Sequence, residues 1–294
     1  MLTLFLFGLA GFLAQLVDGS LGMAFGVTAT TTLLVVGTAP AVASAAIHLA
    51  EVGTSLASGA AHWRFRNIDW RTVSILALPG AVGAVLGAFV LTSLSTGAAS
   101  AWISTVLLLL GLYVLVRFAF LRLGKLITAK RPGARLLGPL GLIAGFIDAS
   151  GGGGWGPIAT TTLLSSGRLE PRKVVGSVDT AEFIVALAAS GGFFVALSGE
   201  HQLDYTVVAG LMIGGVLAAP LAAWIVRRLP PRVLGTAAGG MIVLTNAITL
   251  LDVAAPGAAV TALVLVGIVA LWAAGLVTAV RSVREERRIN ALAG

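Results

Sequence analysis

The chain reads as an all-α integral membrane protein made of two inverted-topology repeats. Each repeat is a re-entrant, broken-helix hairpin followed by three transmembrane helices, and one extra transmembrane helix closes the chain. Three observations lead to this reading. Hydrophobic residues make up 57% of the 294 positions and charged residues 11%, with a mean hydropathy of +1.00, too apolar for a water-soluble domain of this size. One interrupted apolar segment occurs twice. All nineteen lysines and arginines fall into five short clusters.

The first element is the N-terminal run MLTLFLFGLAGF, which has no basic start and no small-residue cleavage site. It is expected to be a retained membrane segment rather than a signal peptide. Residues 8–34 align without a gap on residues 138–164, with thirteen identities in twenty-seven positions; chance at this composition gives roughly three. The shared residues include Asp18/Asp148, Ser20/Ser150, Gly22/Gly152, Gly26/Gly156 and the run ATTTLL. In each copy a glycine-rich breaker, DGSLGMAFG or DASGGGGWGP, interrupts the apolar stretch. Duplicated interrupted helices point to a transporter's binding site.

Unbroken apolar stretches follow at residues 41–61, 72–92, 101–116, 174–197, 205–226, 233–251 and 258–280, each read as one crossing. The basic clusters lie at residues 64–71, 117–135, 168–173, 227–232 and 281–288. Placing all of them in the cytoplasm satisfies the positive-inside rule. The clusters on either side of the second broken segment then share a face, so that segment must leave and return on one side. Each arm, at about thirteen to seventeen residues, reaches about 20–25 Å and falls short of a span. Three crossings per half is an odd number, which inverts the second half. The organisation expected is one transporter domain: repeat 1 over residues 1–117, a basic cytoplasmic linker over 118–135, repeat 2 over 136–251, and the extra helix with its basic tail over 258–294. The N-terminus lies outside the cell membrane and the C-terminus in the cytoplasm.

The chemistry concentrates at the two breaks. A half-helix beginning after a break presents free N–H groups and the positive end of its dipole, and glycine lets that backbone approach an anion. The substrate-binding set is therefore Ser20, Gly22, Ser150, Gly151, Gly152, Gly153, Gly154, Trp155, Gly156 and Pro157. Glycines of this kind also serve close helix packing, as Gly22 and Gly26 could.

Carboxylates inside apolar stretches form the second group: Asp18, Asp148, Glu51, Glu182 and Asp179. A charge at such depth is costly and marks a functional group by default. Ala50-Glu51 aligns with Ala181-Glu182, and three residues upstream stand His48 and Asp179, on the same helical face. Asp18 and Asp148 have a second reading, as caps for the half-helices that follow them. No lysine or arginine lies within the spans, so Glu51 and Glu182 are the proposed proton carriers, with Asp148, Asp18, His48 and Asp179 beside them.

The remaining conspicuous residues have ordinary readings. The threonines at 30–32 and 160–162 are expected to bond back to their own helices. Trp63 and Trp70 flank a basic loop as interface anchors. Trp155 is assigned to closing the pocket, and Pro220 to kinking its span. With no cysteine and three scattered histidines, no metal or other cofactor is expected. Short basic loops between apolar spans do not form a nucleic-acid footprint.

The pattern G-x-x-A-G-x-x-D-A-S-G-G-G-G-W-G-P at residues 141–157, with a partial copy upstream and an acid on the helix after each, resembles the sulfite exporter TauE/SafE family of membrane permeases. The resemblance covers nearly the whole chain. It implies transport of small sulfur-containing anions such as sulfite or organosulfonates, usually outward. The first copy departs from the pattern: Leu21, Met23 and Ala24 replace glycines and Val27 replaces the proline.

The function expected is a proton-coupled secondary transporter, with a small anion, protons and the lipid bilayer as its partners. No G-x-x-x-x-G-K-[ST] motif for nucleotide phosphates is present. A passive anion channel is one alternative. An intramembrane aspartyl or serine hydrolase using Asp18, Asp148 or Ser150 is another, but it lacks a G-x-G-D setting and a histidine assigned to Ser150, so the chain does not read as an enzyme.

Overall fold

The computed structural model describes residues 2–21, 25–120, 131–197, 204–225 and 231–293. Among them every regular element is a helix. The first broken segment forms α1 (Leu2–Leu21) and α2 (Phe25–Val35), followed by α3 (Pro40–Arg64), α4 (Trp70–Ser93) and α5 (Thr96–Phe120). The second forms α6 (Ala134–Gly151), a π-helical turn (Gly156–Thr160) and α7 (Thr161–Ser166), followed by α8 (Pro171–Ala196), α9 (Tyr205–Ile225) and α10 (Pro231–Ala254). The long α11 (Ala258–Ala293) ends the chain.

Local chemistry sets the boundaries. Proline stands first in α3, α8 and α10, where its missing N–H costs nothing. Asp69 caps α4, its carboxylate accepting from the Thr72 N–H at 2.9 Å. Gly152, at φ 70°, ends α6 in the left-handed conformation.

The helices pair across the chain: α1 lies along α9, α6 along α4, α3 along α8 and α5 along α10. Small residues set the closest of these approaches. A Cβ on Gly87 of α4 would stand 2.5 Å from the Phe146 carbonyl oxygen and 3.0 Å from the Ser150 nitrogen of α6, so backbone touches backbone along this seam. The core between α3, α4, α6 and α8 holds Leu76, Leu91, Trp155 and Phe193, all inaccessible to solvent. By contrast α11 packs on α10 and α5 with its outer side exposed.

Five helices among the described residues are long and apolar enough to cross a membrane: Trp70–Ser93, Thr96–Phe120, Arg172–Ala196, Gly235–Ala254 and Ala258–Glu285. The sequence suggested seven. The 25-residue α3 has the length, but His48, Glu51 and several hydroxyls dilute its apolar character. α9 is apolar over its whole 21 residues, Tyr205–Ile225. The arms of the broken segments also differ from expectation. Entering arms run 20 and 18 residues, because the helix continues through Asp18 and Asp148, and the return arm α2 is only 11 residues long. The aspartates therefore belong to the last turns before the breaks, not to the breaks themselves.

Candidate functional site

Asp148 organises the second break. Its carbonyl accepts from the Gly152 N–H and, at 2.9 Å, from the Gly153 N–H, ending α6. Its Oδ1 reaches over the break and accepts from the Trp155 N–H at 2.9 Å. In the first break Asp18 Oδ1 accepts from the Phe25 N–H at 3.1 Å, the same bond at the same seven-residue separation. The capping role read from the sequence thus holds for both aspartates, and it leaves Asp148 Oδ2 available for a second partner.

That partner is His48. Its Nε2 lies 3.2 Å from Asp148 Oδ2, and its Nδ1 lies 2.7 Å from the carbonyl oxygen of Ser44 one turn earlier. Both ring nitrogens face acceptors, and a neutral imidazole has one N–H. The buried pair therefore holds a shared proton: either the ring is an imidazolium or Asp148 carries the hydrogen. Ser44 ties this group to the break again, its hydroxyl donating to the Ala149 carbonyl at 2.7 Å. Phe193 of α8 covers the imidazole at a centroid distance of 5.9 Å.

The two breaks touch. The Thr30 hydroxyl donates to the Gly152 carbonyl, and a Cβ on Gly26 would lie 2.9 Å from Glu51 Oε1 and 3.0 Å from the Gly153 Cα. Between them is a small cavity lined by Asp18, Glu51, Asp148, Asp179 and Glu182, and by the opening residues of both return arms, Phe25 to Val27 and Gly154 to Pro157. Its volume is about 10 Å³, room for about one water molecule. None of the lining residues is basic. Glu51 is buried and its Oε2 has no hydrogen-bond partner among the described residues.

Gly153 has φ 134°, where an L side chain is strained, and its Cα side faces the backbone of Gly26 and Val27. Gly153→Ala is expected to push the breaks apart and to destabilise the protein by about 2–5 kcal/mol, combining strain and overpacking. A thermal melt of the purified variant checks this; an unchanged midpoint would sink it.

All five acids named from the sequence thus reach one cavity, with Gly154, Trp155, Gly156 and Pro157. Trp155 is fully buried, its indole N–H donating to the Val178 carbonyl at 3.1 Å, and it packs against Gly80. Gly151 to Gly153 form the break but abut Val106, Thr30 and Val27 rather than the cavity. Ser150 is buried, its backbone nitrogen against Gly87 of α4, and its hydroxyl has no hydrogen-bond partner among the described residues. Gly22 and the side chain of Ser20 lie outside the described residues.

The threonines divide. Thr32 and Thr161 bond back to their own helices as expected, to Thr28 and Pro157. Thr30 instead crosses to the other break, and Thr31 accepts from Asn246 of α10 at 3.1 Å. Sequence reasoning missed Ser44, Ser58, His62 and Asn246. The first three had a legible signal, because Ser44, His48, Glu51, Ser55, Ser58 and His62 recur at alternating spacings of four and three and so share one face of α3. The side-chain donors of His48, Glu51 and Asp148 lie within 4.8 Å of one another, a spacing that also suits a metal ion. Here His48 and Asp148 are engaged with each other, with Ser44 and with Trp155.

A family model described as sulfite exporter TauE/SafE matches residues 7–249, which include both breaks and every residue lining the cavity. A Bacillus subtilis (strain 168) protein named "Probable membrane transporter protein YtnM" is 50% identical over 273 residues, covering 92% of this chain and 91% of that protein. No solved structure matches.

Proposed function

This chain is a multi-pass membrane transporter that belongs to the sulfite exporter TauE/SafE family, and we propose that it carries small sulfur-containing anions, sulfite or organosulfonates, together with protons. The observation that carries this reading is the cavity itself: five carboxyl groups and two glycine-rich backbone openings converge with no basic residue among the lining. Beyond the Phe25 and Trp155 N–H groups held by the two aspartates, the next amides, at Gly26, Val27 and Gly156, offer an oxyanion donors and the positive ends of helix dipoles.

The acids decide the coupling. A unit negative charge about 4 Å from one carboxylate is repelled by about 4 kcal/mol at an effective dielectric of 20, so an anion enters only when the nearby carboxyls hold protons. Anion and proton then move in the same direction, outward when the anion's own gradient runs outward. Glu51 and Glu182 take the role of carriers. Asp148 is committed to the cap and to His48.

Alternating access follows from a two-fold arrangement of inverted repeats with the N-terminus outside. What supports it is the exchange of partners, α1 with α9 and α6 with α4, together with the matched bonds from Phe25 to Asp18 and from Trp155 to Asp148. In this reading the two broken segments are re-entrant hairpins entering from opposite faces, and rocking of one repeat against the other opens the cavity to each side in turn.

Sulfite uptake into proteoliposomes under an imposed pH gradient tests the proposal. Accumulation is expected to rise with an inward proton gradient. Flux indifferent to that gradient removes proton coupling, and flux without accumulation identifies a passive anion channel.

A further inference from the structure

The polar face of α3 does not stop at the cavity. Beyond Glu51, Ser55 donates back to the Glu51 carbonyl, and one turn further the Ser58 hydroxyl donates to Asp179 Oδ2 at 2.8 Å. His62 Nε2 lies 3.4 Å from the same oxygen, and Asn67 Nδ2 lies 3.4 Å from His62 Nδ1. Asp179 is at once a partner of His62 and a lining residue of the cavity, one turn from Glu182 on α8. Among the described residues two histidine–aspartate pairs thus share this helix face, and they differ in access to water. The His48 and Asp148 side chains are 0% and 3% exposed, those of His62 and Asp179 23% and 19%.

We propose that His62, Asp179 and Ser58 form the port through which protons pass between the cavity and the cytoplasm. The proposal rests on the proton-coupled reading above and adds the route. The port stands at the end of α3 next to Arg64 and Arg66, the end that the charge rule places in the cytoplasm. Imidazole exchanges protons with water near neutral pH, and chains of Asp, Glu and His within membrane segments are proton relays. The transfer balances simply. A protonated His62 passes its Nε2 proton to Asp179, leaving a neutral ring and a neutral carboxyl. Asp179 then passes the proton on to Glu182 or Glu51 through the water-sized cavity, and Nδ1 is the nitrogen that faces Asn67, away from the cavity. Asn67 donates to Nδ1 while the ring carries its single hydrogen on Nε2, and turns its oxygen to that nitrogen once Nδ1 is protonated. Ser58 holds Asp179 Oδ2 in place between the two. Asp179 of α8 is the charged group against His62 among the described residues; Arg64 and Arg66 follow in its own chain segment, and Lys173 stands in the first turn of α8. The lysine is bonded to the Arg66 and Ile68 carbonyls at 2.7 and 3.0 Å and not to the imidazole.

The test separates proton release from substrate handling in the full chain reconstituted into proteoliposomes. Net sulfite flux requires the protons to leave the cavity; sulfite-for-sulfite exchange at equal pH on both sides does not. His62→Gln is expected to lose net flux and its dependence on pH at the basic-loop side, while exchange continues at the wild-type rate. His62→Asn, a second substitution at a residue outside the cavity lining, is expected to show the same selective loss, which guards against a folding defect peculiar to either variant. Net flux and pH profile unchanged in both variants would overturn the port, as would exchange falling in parallel with net flux. If the wild type itself ignores the pH gradient, the proton-coupled reading falls and the port with it; a coupled wild type with unaffected variants removes the port alone.

Discussion

Replacing Glu51 and Glu182 together by glutamine is expected to abolish accumulation of sulfite against its gradient while leaving binding in place. Both residues line the cavity, and Glu51 Oε2 is buried without a hydrogen-bond partner among the described residues. Glutamine keeps the size and the hydrogen-bonding atoms but cannot release a proton, so it mimics the neutral acid permanently. The anion-receptive form is then always present, and the step that returns an empty, deprotonated carrier is lost. Ligand-dependent thermal shift should persist in the double variant, while uptake driven by a proton gradient falls to the level of empty liposomes. Wild-type accumulation by the double variant would rule these two residues out as carriers.

Asp148→Ala is expected to be the most destabilising single change at the site. It leaves the Trp155 N–H without its acceptor and His48 facing an empty space. Removing one partner of a buried ion pair costs about 3–5 kcal/mol, and an orphaned buried donor adds about 1–3 kcal/mol. Asp148→Asn keeps an oxygen for the Trp155 N–H and changes only the group facing His48, from an acceptor to a donor. The melting temperature of purified protein is expected to order wild type above Asp148→Asn above Asp148→Ala. Equal midpoints for the two variants would show that the bridge across the break contributes little.

Much of this architecture could be read from local pattern. The two breaks, their aspartates and the acid on each following helix were all visible, because glycine and a buried carboxylate stand out in an apolar chain whatever surrounds them. The π-helical turn at Gly156–Thr160 was not, since its extra residue per turn leaves no periodic mark in so short a run. Nor were the seven crossings recovered as a set: length and apolarity do not register a helix such as α3, which buries a polar face against its neighbours. One local reading gave way to packing. Thr30 looked like a residue that bonds to its own turn, yet the other break offers it the Gly152 carbonyl.

By itself the sequence determined that this is a helical membrane protein with a duplicated, interrupted segment and intramembrane acids, because hydropathy, glycine and charge act within a turn or two of where they stand. Only the tertiary structure decided that Asp148 meets His48, that Asp179 meets both His62 and the cavity, and that the two breaks close on each other. Those pairs are 100 and 117 residues apart or on separate repeats, and which face of one helix meets which face of another is set by side-chain packing across the whole bundle.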